Sequence, residues 1–181
     1  MKKVFIWVFL LFAITGVGIL TFFVVDNHNY PLKYEDVIRA EAEKNELSPQ
    51  IIAAMINTES GFDKDAISSS GAIGLMQLMP TTAKDMAQRI GYQDFELEDL
   101  FVPDKNIEIG CYYLKYLLEY FDGDTTNALA AYNAGLSNVK KWLKSTEYSQ
   151  DGMTLHSTPY KETNDYIKKI YKNIRKYKSK I

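Results

Sequence analysis

The chain has 181 residues, 46% of them hydrophobic and 24% charged, with 21 Lys or Arg against 23 Asp or Glu. A formal net charge of −2 excludes a strongly basic nucleic-acid binder, and a single cysteine, Cys111, excludes an internal disulfide framework. The two histidines, His28 and His156, sit in neither an HExxH nor a CxxC context, so no metal and no cofactor are expected.

The first element in chain order is "VFIWVFLLFAITGVGILTFFVV", Val4 to Val25, which carries no charge and follows Lys2 and Lys3. At a rise of 1.5 Å per residue it makes a helix of roughly 33 Å, long enough to span a bilayer. Residues 1–25 are therefore expected to form one N-terminal transmembrane anchor, with the alternative of a signal peptide cut at Gly16-Val17-Gly18. The flanking lysines put the N-terminus in the cytoplasm and residues 26–181 on the extracytoplasmic face of the cell membrane. Residues 26–33 read as a short linker, and 34–181 as a single domain.

That domain is expected to be mostly α, because nearly every periodic stretch has helical spacing. A helix runs from about Tyr34 to Lys44. Ser48-Pro49 then gives an N-cap and first helical position, and Ile52, Met55, Ile56 and Glu59 recur at i, i+3, i+4 and i+7 before Gly61. Pro80-Thr81-Thr82 opens a helix with Ala83, Met86 and Ala87 inward, ending near Gly91. Asp104 is the expected cap of a long helix whose face is Ile107, Cys111, Leu114, Leu118 and Phe121. Asp124 caps the alanine-rich "TTNALAAYNAG", stopped by Gly135. "LSNVKKWLK" adds a short helix, and "NDYIKKIYKNIRKY" closes the chain with Tyr166, Ile167, Ile170, Tyr171 and Ile174 inward. The glycines allow at most a small β hairpin within Ser68 to Met79. Residues 161–181 hold eight Lys or Arg against two acids. Such a run is either a solvated helix face or a surface for anionic wall polymer or lipid headgroups.

Glu59 shares the apolar stripe of its helix and stands in the last turn, near the negative end of the macrodipole. Both positions favour the neutral acid, so its pKa is expected to be raised, as a general acid requires. The alternative is an acid that rotates to solvent at a frayed helix end. Behind it, Gly71 and Gly74 let backbone approach a ligand, and Ser68 and Gln77 offer donors and acceptors to sugar hydroxyls and acetamido groups. Met76 and Leu78 fit either a sugar face or the core.

"ESGFDKDAISSSGAIGLMQLMP", then "AAYNAG" at Ala130 to Gly135, then "TPYKETNDYIKKI" at Thr158 to Ile170 resemble the three successive motifs of the lytic transglycosylase (SLT) domain, over roughly residues 35–177. The resemblance implies a lysozyme-like α-helical domain that cleaves the β-1,4 bond between N-acetylmuramic acid and N-acetylglucosamine in peptidoglycan, its expected partner. By position, Glu59 matches the single catalytic acid/base. Ser68, Met76, Gln77, Tyr132, Asn133 and Glu162 match the substrate-binding residues, with Tyr132 placed to hold Glu59 through its hydroxyl. Asn164 stands where the family often has Arg. One acid suffices if the substrate's 2-acetamido group assists departure and the muramyl 6-hydroxyl then attacks, giving a 1,6-anhydro end.

Three rivals belong beside this reading. A hydrolytic muramidase would use Asp63 or Asp65 to activate water, and an inactive wall-binding domain would have no need of Glu59. A Cys peptidase on Cys111 and His156 is disfavoured because Cys111 falls mid-helix, and no GxSxG supports a Ser hydrolase.

Overall fold

A computed structural model describes Thr15, Thr21 and residues 24–181. The expected span at 4–25 lies almost wholly outside these residues, among which no helix is long and apolar enough to cross a membrane. Residues 24–29 are helical. Beyond them come α1 (Glu35–Lys44), α2 (Pro49–Glu59), α3 (Pro80–Arg89), a 3-10 turn (Leu97–Phe101), α4 (Pro103–Tyr120), α5 (Thr125–Ala134), α6 (Leu136–Trp142) and α7 (Lys161–Tyr177).

Two helices form the centre. In α2 the six successive residues Ile51 to Ile56 are all buried, the mark of a helix surrounded by protein rather than lying on a surface. In α5 the small side chains of Ala128, Ala130 and Ala131 are fully buried and let its neighbours approach closely. α2 packs most extensively against α7, and α5 touches α4, α6 and α7. α7 is amphipathic: Tyr166, Ile170 and Tyr177 face the core while its lysines face out.

Local chemistry sets most helix ends. The Ser48 side chain accepts from the Ile51 N–H with Pro49 at the first position, and Asp124 accepts from the Asn127 N–H. Asp104 does not cap α4. Val102 holds that position because Pro103 already begins the helix, which puts Asp104 in the first turn where its charge meets the positive helix end. Tyr171, expected inward, is 37% exposed, and its hydroxyl lies 3.0 Å from that of Thr126. No hairpin forms at 68–79; two isolated antiparallel bridges, Ile67 with Ile73 and Ile73 with Leu78, hold the segment instead.

The segment from Ser60 to Met79 is fixed from a distance. Asn106 of α4 is fully buried, and its side chain accepts from the Met76 N–H (2.8 Å) and donates to the carbonyls of Ile73 (3.1 Å) and Leu100 (2.8 Å). Gly74 makes this contact possible: at φ +76°, a Cβ there would stand 2.2 Å from Asn106 Nδ2. Gly110 does the same for Met76, whose sulfur would lie 2.3 Å from an added Cβ.

The expected linker is docked on the domain. The Tyr177 hydroxyl donates to the Pro31 carbonyl (2.6 Å), Asp26 pairs with Lys180 (2.8 Å), and the Tyr30 ring meets that of Tyr177 edge-on.

Candidate active site

Glu59 is the last residue of α2; it is half-buried, and its carboxylate is turned toward α7. The Tyr166 hydroxyl donates to Glu59 Oε1 at 2.6 Å. Burial pushes the carboxyl up from 4.5 to about 7, against the opposing pull of the Tyr166 hydrogen bond and of Lys169. The direction is the one that position on an apolar stripe demands. Lys169 Nζ also donates to the Thr58 carbonyl (3.2 Å), setting a cation at the negative end of α2. Asn173 Nδ2 donates to the Thr58 hydroxyl (2.9 Å), so the seam between α2 and α7 holds the acid from both sides of its turn.

Tyr132 does not hold Glu59, as its motif position suggested; its hydroxyl donates to the Met76 carbonyl at 2.9 Å. The Tyr132 phenol is nevertheless a close neighbour of the acid. Burial first, then the Glu59 charge, raises its pKa well above the usual tyrosine range, and Tyr166 is raised in the same way. The Tyr113 ring lies 5.0 Å from that of Tyr132. Two tyrosines, from α5 and α7, thus stand beside a single carboxyl, and Tyr113 of α4 backs the Tyr132 ring.

The loop residues divide by what their polar atoms have left to offer. Met76 is fully buried, so its side chain is core packing and its carbonyl is the part that matters to Tyr132. Gln77 is a non-glycine residue at φ 46°, a left-handed conformation that costs free energy and must be held by its surroundings. Its side-chain amide supplies the hold by donating to the carbonyls of Gly74 (3.0 Å) and Ala66 (3.2 Å), which leaves the amide oxygen for a ligand. Ser68 Oγ accepts from the Ala72 N–H (2.9 Å) and keeps its hydroxyl proton to donate. Asn133 Oδ1 accepts from the Thr163 hydroxyl (2.8 Å), tying the end of α5 to the start of α7. Glu162 is exposed in the first turn of α7, four residues before Tyr166, and so lies on the same helix face one turn further on. Asn164 bonds in both directions with Thr158, Oδ1 to the backbone N–H and Nδ2 to the carbonyl, fixing the loop that enters α7.

Tyr166 and Lys169 are the site residues the sequence did not mark. Tyr166 stands on the core stripe of its helix, and only the packing of α7 on α2 reveals that its hydroxyl meets an acid. A cleft of about 720 Å³ lies elsewhere, at the opposite end of α5 among Tyr120, Lys140 and Met153, and holds none of these groups.

A sequence profile of the family described as the transglycosylase SLT domain matches residues 36–153. The chain belongs to this family. The matched residues contain Glu59, the Ser68 to Gln77 loop and Tyr132, while α7 follows the matched segment. The SLT chain is 33% identical over 143 residues to the soluble lytic murein transglycosylase of Salmonella typhimurium, covering 78% of this chain and 22% of that protein. It is 31% identical over 168 residues to the membrane-bound lytic murein transglycosylase C of Actinobacillus pleuropneumoniae, covering 80% and 46%. The solved structure of an inactive mutant of the lytic transglycosylase Slt from Pseudomonas aeruginosa superposes with a TM-score of 0.73 at 33% identity, over 83% of this chain and 25% of that one. The SLT chain thus spans between about a fifth and a half of the length of these curated relatives.

Proposed function

We propose that the chain is a peptidoglycan lytic transglycosylase in which Glu59 acts first as general acid and then as general base. The observation that carries this reading is one carboxyl, raised to about 7 by burial and held by Tyr166, with Tyr132 beside it and no second acid acting on it among the described residues. In the first step the Glu59 carboxyl donates its proton to the glycosidic oxygen. The C1–O bond of the muramyl residue breaks, and the carbonyl oxygen of its own 2-acetamido group closes on C1. In the second, the Glu59 carboxylate takes the proton of the muramyl 6-hydroxyl as that oxygen attacks C1 and reopens the acetamido ring. The product is a 1,6-anhydromuramyl end, and Glu59 recovers its proton. Gln77 Oε1 and the Ser68 hydroxyl are the groups assigned to the acetamido and sugar hydroxyls, with Glu162 as the charge beside the anomeric carbon.

The hydrolytic alternative needs a second acid to activate water. Its candidates are exposed and engaged: Asp65 pairs with Lys64 at 2.7 Å, and Asp63 Oδ1 accepts from the Asp65 N–H. The relatives carry names of lytic murein transglycosylases, and the Pseudomonas structure is of an inactive form made by a Glu-to-Gln change. The deciding experiment is digestion of purified wall by the chain and by Glu59→Gln, with the products weighed. The expected result is anhydro ends, lighter by the mass of water than reducing ends, and loss of at least about a thousandfold in rate in the variant. Reducing ends would assign hydrolysis, and a variant with parental rate would remove Glu59 from the chemistry.

A further inference from the structure

The route by which the chain reaches its domain says where the site works. Residues 24–29 are helical and continue the uncharged segment 4–25 without a break in sequence. That helix does not lead into a free linker. The Asn29 carbonyl accepts from Asn57 Nδ2 (3.2 Å), on the turn of α2 that carries Glu59. Asp26 pairs with Lys180 (2.8 Å) and Lys176 (3.8 Å), Lys176 lies over the Tyr30 ring (5.4 Å), and Pro31 takes the Tyr177 hydroxyl. The stem is therefore fastened to both helices that build the site. Four helical residues from Val25 to Asn29, one side-chain contact, and two residues from Asn57 to Glu59 put the acid on the order of 20 Å or less from Val25.

The same end of the domain carries the basic run that the catalytic reading leaves unused. Lys168, Lys172, Arg175 and Lys178 are exposed and form no salt bridge among the described residues, although the Lys168 charge acts on Asp165; Lys161 pairs with Asp165, and Lys176 and Lys180 pair with Asp26. Lys168, Lys172 and Arg175 follow each other at i, i+4 and i+7, one face of α7. Arg175 and Lys178 flank Tyr177, where the stem docks.

We propose that the docked stem seats the domain on the bilayer with this basic face of α7 on anionic headgroups, so that the glycan cleaved is the layer lying next to the membrane. The proposal rests on the transglycosylase reading of Glu59 and on residues 4–25 as the span. A rigid stem this short cannot present the site to distant wall layers, and a cationic face beside the exit point is attracted to acidic phospholipid within about a Debye length.

The test uses the full chain in vesicles of phosphatidylcholine with or without phosphatidylglycerol. A dye on Ser179→Cys reports energy transfer to headgroup-labelled lipid; Cys111 is fully buried and stays unlabelled. A rigid helical spacer of about 14 residues between Val25 and Asp26 lifts the docked domain by about 21 Å. The expected outcome is strong transfer in phosphatidylglycerol vesicles, lost with the spacer and reduced by salt and by joint Lys168→Glu, Lys172→Glu, Arg175→Glu and Lys178→Glu. Cleavage of strands polymerised on a lipid carrier in the same vesicles should fall at least about tenfold with the spacer, while soluble wall fragments are cut at the parental rate. Equal transfer with and without the spacer overturns the proposal, as does transfer that is unchanged by phosphatidylglycerol and by the charge reversals. Transfer abolished by a soluble glycerol-phosphate polymer would assign the basic face to wall polyanion instead. If the unmodified chain cuts neither substrate, the transglycosylase reading fails, and the transfer measurement still decides the membrane placement by itself.

Discussion

At the scale of single residues, the acid that makes the site also weakens the fold. Glu59 is raised from 4.5 to about 7 in the folded chain, so between those values the native state holds a proton the unfolded chain has released. The stabilisation is fully present below about 4.5 and is lost as pH rises through about 7, a difference of about 3 kcal/mol. Glu59→Gln removes the titration: the variant should match the parent in stability near pH 4 and exceed it by up to about 3 kcal/mol above pH 8, measured by urea unfolding across pH. Activity has the same limit. A general acid must be protonated, so kcat/KM should fall as pH rises past about 7, roughly tenfold per unit. Tyr166 opposes the rise by donating to the carboxylate. Tyr166→Phe should therefore move the alkaline limb of the pH–rate profile upward and lower kcat by about tenfold, with the chain still folded. A limb that stays in place would mean that Tyr166 is packing alone.

At the scale of elements, what the sequence made legible was local. Ser48, Asp124 and Gly135 mark helix ends through bonds and dihedrals within a few residues of themselves, and each stands at a helix end in the fold. Glu59 was legible for the same reason, as one position in a stripe of i, i+3 and i+4 spacing. The Ser60 to Met79 segment was not, because its order comes from Asn106, 30 residues beyond Met76, and no local pattern encodes that contact. The partner of Glu59 was hidden likewise: Tyr166 lies 107 residues away and reads as one more core tyrosine. Asn106 is accordingly the position where one change should undo the loop. Asn106→Leu keeps the volume but leaves the Met76 N–H and the Leu100 carbonyl buried without partners, and the Ile73 carbonyl with the Leu78 N–H alone. The expected cost is about 3 kcal/mol or more in denaturant unfolding. Wall cleavage should drop further than the folded fraction does, since the Met76 carbonyl that receives Tyr132 moves with the loop.

At the scale of the molecule, the chain holds together without a disulfide, by joining its first and last described segments across α2. Tyr177 is the centre of that junction: fully buried, donating to Pro31, edge-on to Tyr30 and 6.3 Å from Phe62. Whether stem and core open as one unit can be read from Cys111, which lies in α4, away from this junction, and is fully buried with its thiol pushed well above the ordinary range. Such a thiol reacts only when the core opens, and when closing is fast its labelling rate follows the open population. Tyr177→Phe removes one hydrogen bond and leaves the ring, a loss of about 1 kcal/mol. If the junction and the core unfold together, Cys111 in the variant should label about fivefold faster with a thiol reagent under native conditions, and the urea midpoint should fall in proportion. If the stem frays alone, Cys111 labels at the parental rate while amide exchange quickens only near residues 26–31 and the end of α7. The first result makes the stem part of the fold that carries Glu59; the second would separate the placement of the domain from the stability of its site.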